Sequence, residues 1–200
     1  ITLTIDCDLA ITSGSSKGLD LPGNSTIDAN KICVKGSTNV GGAVTFPDAS
    51  PTNGCTPPSD PLSGLATPPE AEPPFSCDSD HTNVDISTDK TLFEGVYCCG
   101  IKISGSNNTV TFNDGTYILA GGNGLSVSGG GNTINADGVT FYTTEDGNGG
   151  NYGKVDFSGN NTLNFTAPTS GDYAGVLFFN DPSTASSTSG VKFEVSGNNT

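Results

Sequence analysis

Hydrophobic and polar residues alternate in short runs along the second half of the chain. The runs lie at residues 109–112, 116–119, 125–127, 139–142, 155–157, 162–165 and 191–195. Alternation with a period of two is typical of strands that bury one face, and Gly, Asn, Asp and Ser punctuate the runs as turn residues do. No stretch of ten or more residues keeps the 3.6-residue period of a helix. The pattern therefore predicts an all-β protein.

A short motif recurs four times among these runs. A β-branched or aromatic residue, Ser and Gly precede an Asn-rich polar stretch, and the motif glycines are separated by 24, 30 and 38 residues. Similar but rising spacing is typical of a solenoid whose repeats carry insertions. Gly provides positive φ at sharp corners, Asn tolerates the same geometry, and equivalent Asn side chains can stack into an amide ladder. The expected corner residues are Gly105, Asn107, Gly129, Asn132, Gly159, Asn160, Gly197 and Asn198.

The repeats favour a right-handed parallel β-helix over a β-sandwich, which would need turn signals about every 8–12 residues. We expect N-terminal rungs at 1–46, a Pro-rich excursion at 47–94 and the main rungs at 95–200, in one continuous domain. Nine of the 12 prolines lie in the excursion, and proline cannot donate to a central ladder. A linker between two β portions is the alternative interpretation. Since the chain stops inside a fresh copy of the motif, we expect it to continue or to meet another molecule there.

Charge excludes several classes of partner. Seven basic residues, all Lys, stand against 21 acidic ones, so the net charge is −14. Binding to nucleic acid or to an anionic membrane surface requires basic patches, so neither is expected. The longest apolar run covers only residues 176–179, which is far too short to span a bilayer.

Cysteine usage indicates an oxidising compartment. No C-x-x-C motif occurs, and a single His is too few for a Cys/His zinc site. An even number of cysteines in an acidic, Arg-free chain is typical of disulfides in an extracellular protein, with reduced buried thiols as the alternative. The expected disulfide residues are Cys7, Cys33, Cys55, Cys77, Cys98 and Cys99.

Several stretches from about residue 60 onward share one order and spacing with a known family. They are Asp60-Pro61-Leu62, Leu65, Pro68, Cys77, and residues 95–101, 114–119, 121–122, 138–142, 167–171 and 174–179. In this order they resemble the TadG-like proteins of the Tad/Flp (tight-adherence) pilus system. Residues 1–40 resemble earlier repeats of that family more weakly, through Cys7 and Cys33.

The resemblance implies a surface-exposed, non-catalytic protein of pilus biogenesis or attachment. Its partners would be other pilus or surface-filament subunits, including further copies of itself, and host or surface glycans. Family members typically carry an N-terminal hydrophobic anchor, and some carry a von Willebrand-type region; this sequence carries neither. Asp114 stands where the family has Pro, and Cys99 where it has Gly. The additional Cys99 is expected to pair with Cys55, with Cys7–Cys33 and Cys77–Cys98 as the other two bonds.

Catalytic patterns are weak. Pectate-lyase chemistry uses a strong base, typically Arg, and this chain has none. Glycoside hydrolysis needs two acids flanking the bond, and the strand carboxylates Asp156 and Glu194 alternate onto the solvent face. His81 is the only histidine, and no G-x-S-x-G elbow accompanies it. We expect no enzyme; the alternative is a β-helical polysaccharide-binding or polysaccharide-degrading protein.

Cofactor and ice-binding signals are weaker still. Residues 145–151 resemble a calcium loop but lack a third ligand position and the distal Glu. We expect no resident metal or cofactor, with weak surface calcium binding left open by the net charge. Ice binding requires a regular Thr-x-Thr array, and the pair Thr109 and Thr111 is not expected to recur in register.

Overall fold

The computed structural model describes residues 2–21, 23–59, 62–77, 79–146, 152–182, 193–197 and 199–200. Within these ranges the protein is all-β, as predicted, with two short 3-10 turns at Pro69–Ala71 and Ser79–His81. The named strands pair with one another only in parallel. Parallel pairing means that each strand meets its partner after an intervening connection rather than across a hairpin.

The chain divides into two compact units, Ile1–Gly64 and Leu65–Thr200. The strands of the first unit are β1 (Thr2–Ile11), β2 (Leu19–Leu21), β3 (Ser25–Val34), β4 (Thr38–Val40), β5 (Val44–Thr45) and β6 (Thr52–Asn53). Strand β3 pairs with β1 on one side and with β5 and β6 on the other, and β2 pairs with β4. The unit buries Ile27, Ile32 and Val34 between these strands.

The second unit contains twelve named strands in two sheets. They are β7 (Thr82–Ile86), β8 (Lys90–Leu92), β9 (Gly95–Ile103), β10 (Thr109–Phe112), β11 (Gly115–Ala120), β12 (Leu125–Val127), β13 (Gly130–Ala136), β14 (Val139–Thr144), β15 (Val155–Phe157), β16 (Asn160–Phe165), β17 (Phe178–Asn180) and β18 (Phe193–Val195). One sheet has the order β16-β13-β10-β8. The other has the order β17-β14-β11-β9-β12-β15-β18, with β7 also on β9.

Strand β9 turns a corner in its middle. Its first half pairs with β11, where Tyr97 lies opposite Leu119, and its second half pairs with β12, where Ile101 lies opposite Leu125. Between the halves, Cys99 and Gly100 have φ of 69° and 74°. Two successive residues in the left-handed region redirect the chain without ending the strand.

Aromatic rings form the centre of the second unit. The rings of Tyr97, Tyr117, Phe141 and Phe178 follow one another with centroid separations of 5.8, 5.7 and 5.6 Å. Tyr97, Tyr117 and Phe141 are completely buried. The phenol of Tyr117 donates to the carbonyls of Leu92 and Asn113, so its polar end is satisfied inside the core.

The Pro-rich excursion is shorter than the predicted 47–94. Strand β6 pairs with β3 near its start, and β7 and β8 pair with β9 and β10 near its end. The described prolines of the excursion lie outside the named strands, because a residue without an N–H cannot donate to a ladder. Among the described residues between β6 and β7, the regular elements are the two 3-10 turns.

Two disulfides form, Cys33–Cys55 and Cys77–Cys98. The second matches the expected pair, but the expected Cys7–Cys33 and Cys55–Cys99 bonds are wrong. Pairing of β3 with β6 sets Cys33 opposite Thr52, so the next few residues carry Cys55 to a Cα–Cα distance of 5.8 Å. Cys7 is an exposed free thiol at a register shift in β1, and Cys99 is a half-buried free thiol at the β9 corner.

Candidate functional site

Four asparagines form a hydrogen-bonded ladder at one corner of the second unit. We call Asn108, Asn132, Asn161 and Asn199 the asparagine ladder. The backbone N–H groups of the first three each donate to Oδ1 of the next asparagine at 3.1 Å. The Nδ2 groups of Asn132 and Asn161 also donate to the next Oδ1, at 3.0 and 3.2 Å. The predicted stacking of corner amides is therefore present.

The membership of the ladder differs from the prediction. Among the expected asparagines only Asn132 belongs to it. Asn107 and Asn160 are exposed residues one position earlier, and Asn198 lies outside the described residues. The ladder residue always stands directly before a threonine, so alignment on that threonine instead of on the Ser-Gly pair identifies it. The sequence-based choice was the first asparagine after each motif glycine, whereas the ladder uses the last asparagine before the threonine.

Three of the four expected corner glycines adopt the left-handed conformation. Gly129, Gly159 and Gly197 have φ of 85°, 90° and 80°, whereas Gly105 does not enter that region. An added Cβ at Gly129 would collide with the carbonyl of Gly105, and one at Gly159 with the carbonyl of Gly129. Glycine is thus required at these corners both for its backbone conformation and for the close approach of successive strands.

The candidate catalytic carboxylates lie side by side and share an ion pair with one lysine. Asp156 on β15 is in register with Glu194 on β18. Lys154 Nζ lies 2.6 Å from an Asp156 oxygen and 3.1 Å from a Glu194 oxygen. The hydrogen bond to Asp156 is the main cause that raises the pKa of Lys154 above its usual value, and the hydrogen bond to Glu194 raises it further. The lysine offsets part of the negative charge of the two carboxylates on a partly exposed face.

A second ion pair continues this outward column. Lys102 Nζ lies 2.9 Å from Asp85, and Ser104 donates a hydrogen bond of 2.5 Å to the other Asp85 oxygen. The hydrogen bond from the Ser104 hydroxyl is the main cause that holds the pKa of Asp85 below its usual value, and the hydrogen bond from Lys102 lowers it further. An acid held in its ionised form by these partners is a poor proton donor near neutral pH.

His81 packs against the core. Its ring lies 4.4 Å from that of Tyr97 at an interplanar angle of 41°. The Tyr97 hydroxyl donates to the carbonyl of Phe93 at 2.7 Å. Since the imidazole covers a completely buried tyrosine, packing accounts for its position.

The weak calcium-loop pattern is only partly within the structure. Glu145 forms an isolated antiparallel bridge with Tyr152, and residues 147–151 lie outside the described residues. In the portion of the chain that is described, no three or more His, Cys, Asp or Glu side chains are grouped as metal ligands. Nor does that portion contain a helix with the length and apolar character needed to cross a bilayer.

A polar cleft of about 350 Å³ lies between the start of β11 and the loop that precedes β17. We use "polar cleft" for the surface lined by Asp114, Thr116, Thr169, Ser170, Asp172 and Tyr173. The Tyr173 hydroxyl donates to the carbonyl of Ala66 at 3.0 Å, and the loop closes through a 2.7 Å bond from Gly175 N–H to the Pro168 carbonyl. Burial of the phenol is the main cause that raises the pKa of Tyr173 above its usual value, and the negative charges of Asp172 and Glu70 raise it further.

The chemistry of the polar cleft suits a neutral polyhydroxylated ligand. Within the described residues, the side chains of Asp114, Thr116, Thr169, Ser170 and Asp172 make no hydrogen bond or ion pair. Carboxylates and hydroxyls accept hydrogen bonds from ligand hydroxyls, and the tyrosine ring offers an apolar surface. Two carboxylates in a chain of charge −14 disfavour an anionic ligand.

Comparison of the chain with protein-family models, with curated proteins and with solved structures gave no match. The geometry of the residues themselves therefore carries the functional argument.

Proposed function

We propose that the chain is a non-catalytic, extracellular structural or adhesive protein of a bacterial pilus or surface filament, built as a right-handed parallel β-helix. The observation that carries the proposal is the continuous ladder from Asn108 to Asn199, which runs across successive parallel strands. Such side-chain ladders stabilise stacked strands. The right hand follows from the strong general preference of parallel crossovers.

A stack of this kind serves as a rigid rod. Each added strand extends the stack by about 4.8 Å, and each strand inside the stack is braced by its neighbours on both sides. The two disulfides support an extracellular location, because such bonds persist in oxidising compartments. The association with a pilus rests on the resemblance to TadG-like proteins, and its partners would be other filament subunits or surface glycans.

The surface around β18 is where we place contact with a further subunit. Among the described strands β18 pairs only with β15, and its Phe193 and Val195 are each 56% exposed. Unpaired strand edges with exposed apolar side chains recruit another strand. The next subunit, including another copy of this chain, would therefore extend the stack along this edge.

Electron microscopy of the purified protein tests the proposal. We expect end-to-end assemblies that are lost in Phe193→Glu and retained in Phe93→Glu, because Phe93 is 61% exposed at a site away from the β18 edge. Single particles only, with no adhesion to bacterial surfaces, would contradict the proposal. Turnover of a polysaccharide that is lost in Asp156→Asn would replace it with an enzymatic function.

Polysaccharide binding is a second candidate, favoured by the polar cleft. We expect Asp172→Asn to weaken binding to neutral glycans on an array. The control Glu72→Gln removes the same charge from an exposed residue that does not line the cleft. Equal binding by the two variants would exclude the cleft as the glycan site.

A further inference from the structure

The outward face of the sheet β8-β10-β13-β16 carries two columns of threonine and asparagine. The first column is Thr109, Thr133, Thr162 and Thr200, and the second is Thr91, Thr111, Asn135 and Asn164. We call these eight residues the threonine face. Thr200 joins the first column because its N–H donates to Asn161 O at 2.9 Å and its carbonyl accepts from Leu163 N–H at 2.7 Å, which places it beside Thr162.

The Thr-x-Thr pair of Thr109 and Thr111 does not recur as such, as expected. A related pattern does recur in register, because Thr133 and Thr162 align with Thr109 while Asn135 and Asn164 align with Thr111. The sequence hides the recurrence because the copies are separated by different numbers of residues and because asparagine replaces the second threonine.

The threonine face has two regular repeats at right angles. Successive members of a column are one strand spacing apart, about 4.8 Å, and the two columns are two residues apart along each strand, about 6.6 Å. Inward neighbours fix this geometry, since Val110, Ile134 and Leu163 lie between the columns and point into the core. The asparagine ladder runs directly beside the first column and holds the strands in line.

The side chains of the face are restricted in conformation and at least partly exposed, with Thr111, Thr133 and Asn135 half-buried. Within the described residues, none of the hydroxyls of its six threonines has a hydrogen-bond partner in the protein. Threonine is β-branched, which restricts χ1 and fixes the positions of its methyl and hydroxyl groups. Asn164 Nδ2 donates to Asn135 Oδ1 at 2.9 Å, which aligns these two amides as well. The array therefore presents hydroxyls and methyls at fixed intervals.

We propose that the threonine face binds ice. The spacing along each column is close to the short unit-cell edge of hexagonal ice, so water ordered on the hydroxyls of a column occupies positions of the ice lattice while the methyls fill the gaps between them. Stacking on a sugar would instead need an exposed aromatic ring, and none of the eight residues is aromatic. The hollow that Thr91, Thr109 and Thr111 line is bordered by the charged side chains of Asp89 and Lys90. Because only β10, β13 and β16 carry both columns, we expect crystal shaping and inhibition of recrystallisation rather than a large depression of the freezing point.

Ice shaping and ice recrystallisation by the full chain test this proposal. We expect the wild-type protein to shape ice crystals and to inhibit their recrystallisation. In Thr133→Lys and Thr162→Lys both activities should fall to the level of a serum albumin blank, because a long charged side chain breaks the lattice match. The matched control is Thr4→Lys, an exposed strand threonine of the first unit, which should retain full activity. Circular dichroism and tyrosine fluorescence verify that each variant is folded.

Three results would overturn the proposal. They are unshaped crystals with the wild-type protein, activity retained in folded Thr133→Lys, and equal losses in Thr133→Lys and Thr4→Lys. Binding to crystalline cellulose through this face, without any effect on ice, would assign the face to a polysaccharide instead. Filament assembly is measured separately, so failure here leaves the proposed structural function untouched.

Discussion

Removal of one amide from the asparagine ladder should destabilise the second unit strongly. Asn132 is 1% exposed. Its Oδ1 accepts from Asn108 N–H at 3.1 Å, and its Nδ2 donates to the carbonyls of Gly105 and Ser128 at 2.9 and 3.2 Å. In Asn132→Ala all three backbone groups lose these bonds together.

The magnitude follows from the number of groups left without a partner. An unsatisfied buried backbone group costs about 1–3 kcal/mol. Water can reach the half-buried Asn108 end of the ladder, which reduces its share, and Asn161 Oδ1 keeps its bond from the Asn132 N–H. We therefore expect Asn132→Ala to lower the free energy of unfolding by about 3 kcal/mol, a large part of the total stability of a typical domain.

Urea unfolding followed by tyrosine fluorescence measures this effect in the correct unit. The chain has no tryptophan, and all five tyrosines lie after residue 65, so the signal reports on the second unit alone. The matched control is Asn164→Ala, which removes an exposed amide bonded only to Asn135. We expect that control to change the free energy of unfolding by no more than about 0.5 kcal/mol.

A difference between the two variants of less than about 1 kcal/mol would refute this reasoning. It would mean that water replaces the amide without loss, and that the ladder follows the fold instead of stabilising it. An unchanged dependence on urea concentration is also required, because a changed slope indicates that the unfolded or native state itself was altered.

Further effects are expected at a disulfide, a corner and a buried tyrosine. Replacing both Cys77 and Cys98 by Ser should lower the free energy of unfolding by about 3 kcal/mol in urea titrations without reductant. Gly129→Ala should lower the melting temperature far more than Gly130→Ala, because only Gly129 has positive φ and a backbone carbonyl where Cβ would lie; equal shifts would contradict this. Burial, with Tyr97 and Glu94, holds the pKa of Tyr117 well above its usual value of 10. The folded state therefore keeps the phenol neutral after the unfolded chain begins to ionise, so stability present below pH 10 should fall as the pH rises beyond it, and melting temperatures that stay constant across that range would refute the assignment.

The strands were predictable because one buried face imposes alternation over even a few residues. The run at 155–157 became β15 and the run at 125–127 became β12, with the same bounds. The disulfides were less predictable. Cys55 reaches Cys33 only because the two-residue strand β6 pairs with β3, and a strand that short leaves no periodic signal in the sequence.

The register between repeats was the decisive quantity that the sequence concealed. Insertions such as the loop before β17 change the spacing of the copies but not the pairing of the strands that flank them. The choice of the first asparagine after the motif glycine gave Asn160 instead of Asn161, and the unequal spacing of the copies hid the column of threonines.

One dipeptide links the interior of the second unit to its surface. In each copy an asparagine bonds inward to the ladder, and the threonine that follows it faces outward, as in Asn132-Thr133 and Asn161-Thr162. Alternation along a strand makes this coupling unavoidable, because consecutive side chains point to opposite faces. The hydrogen bonds that hold the asparagines one strand apart therefore also fix the spacing of the threonines. A regular outer surface is thus a direct consequence of the ladder, and the threonine face needs no separate device to keep its members in line.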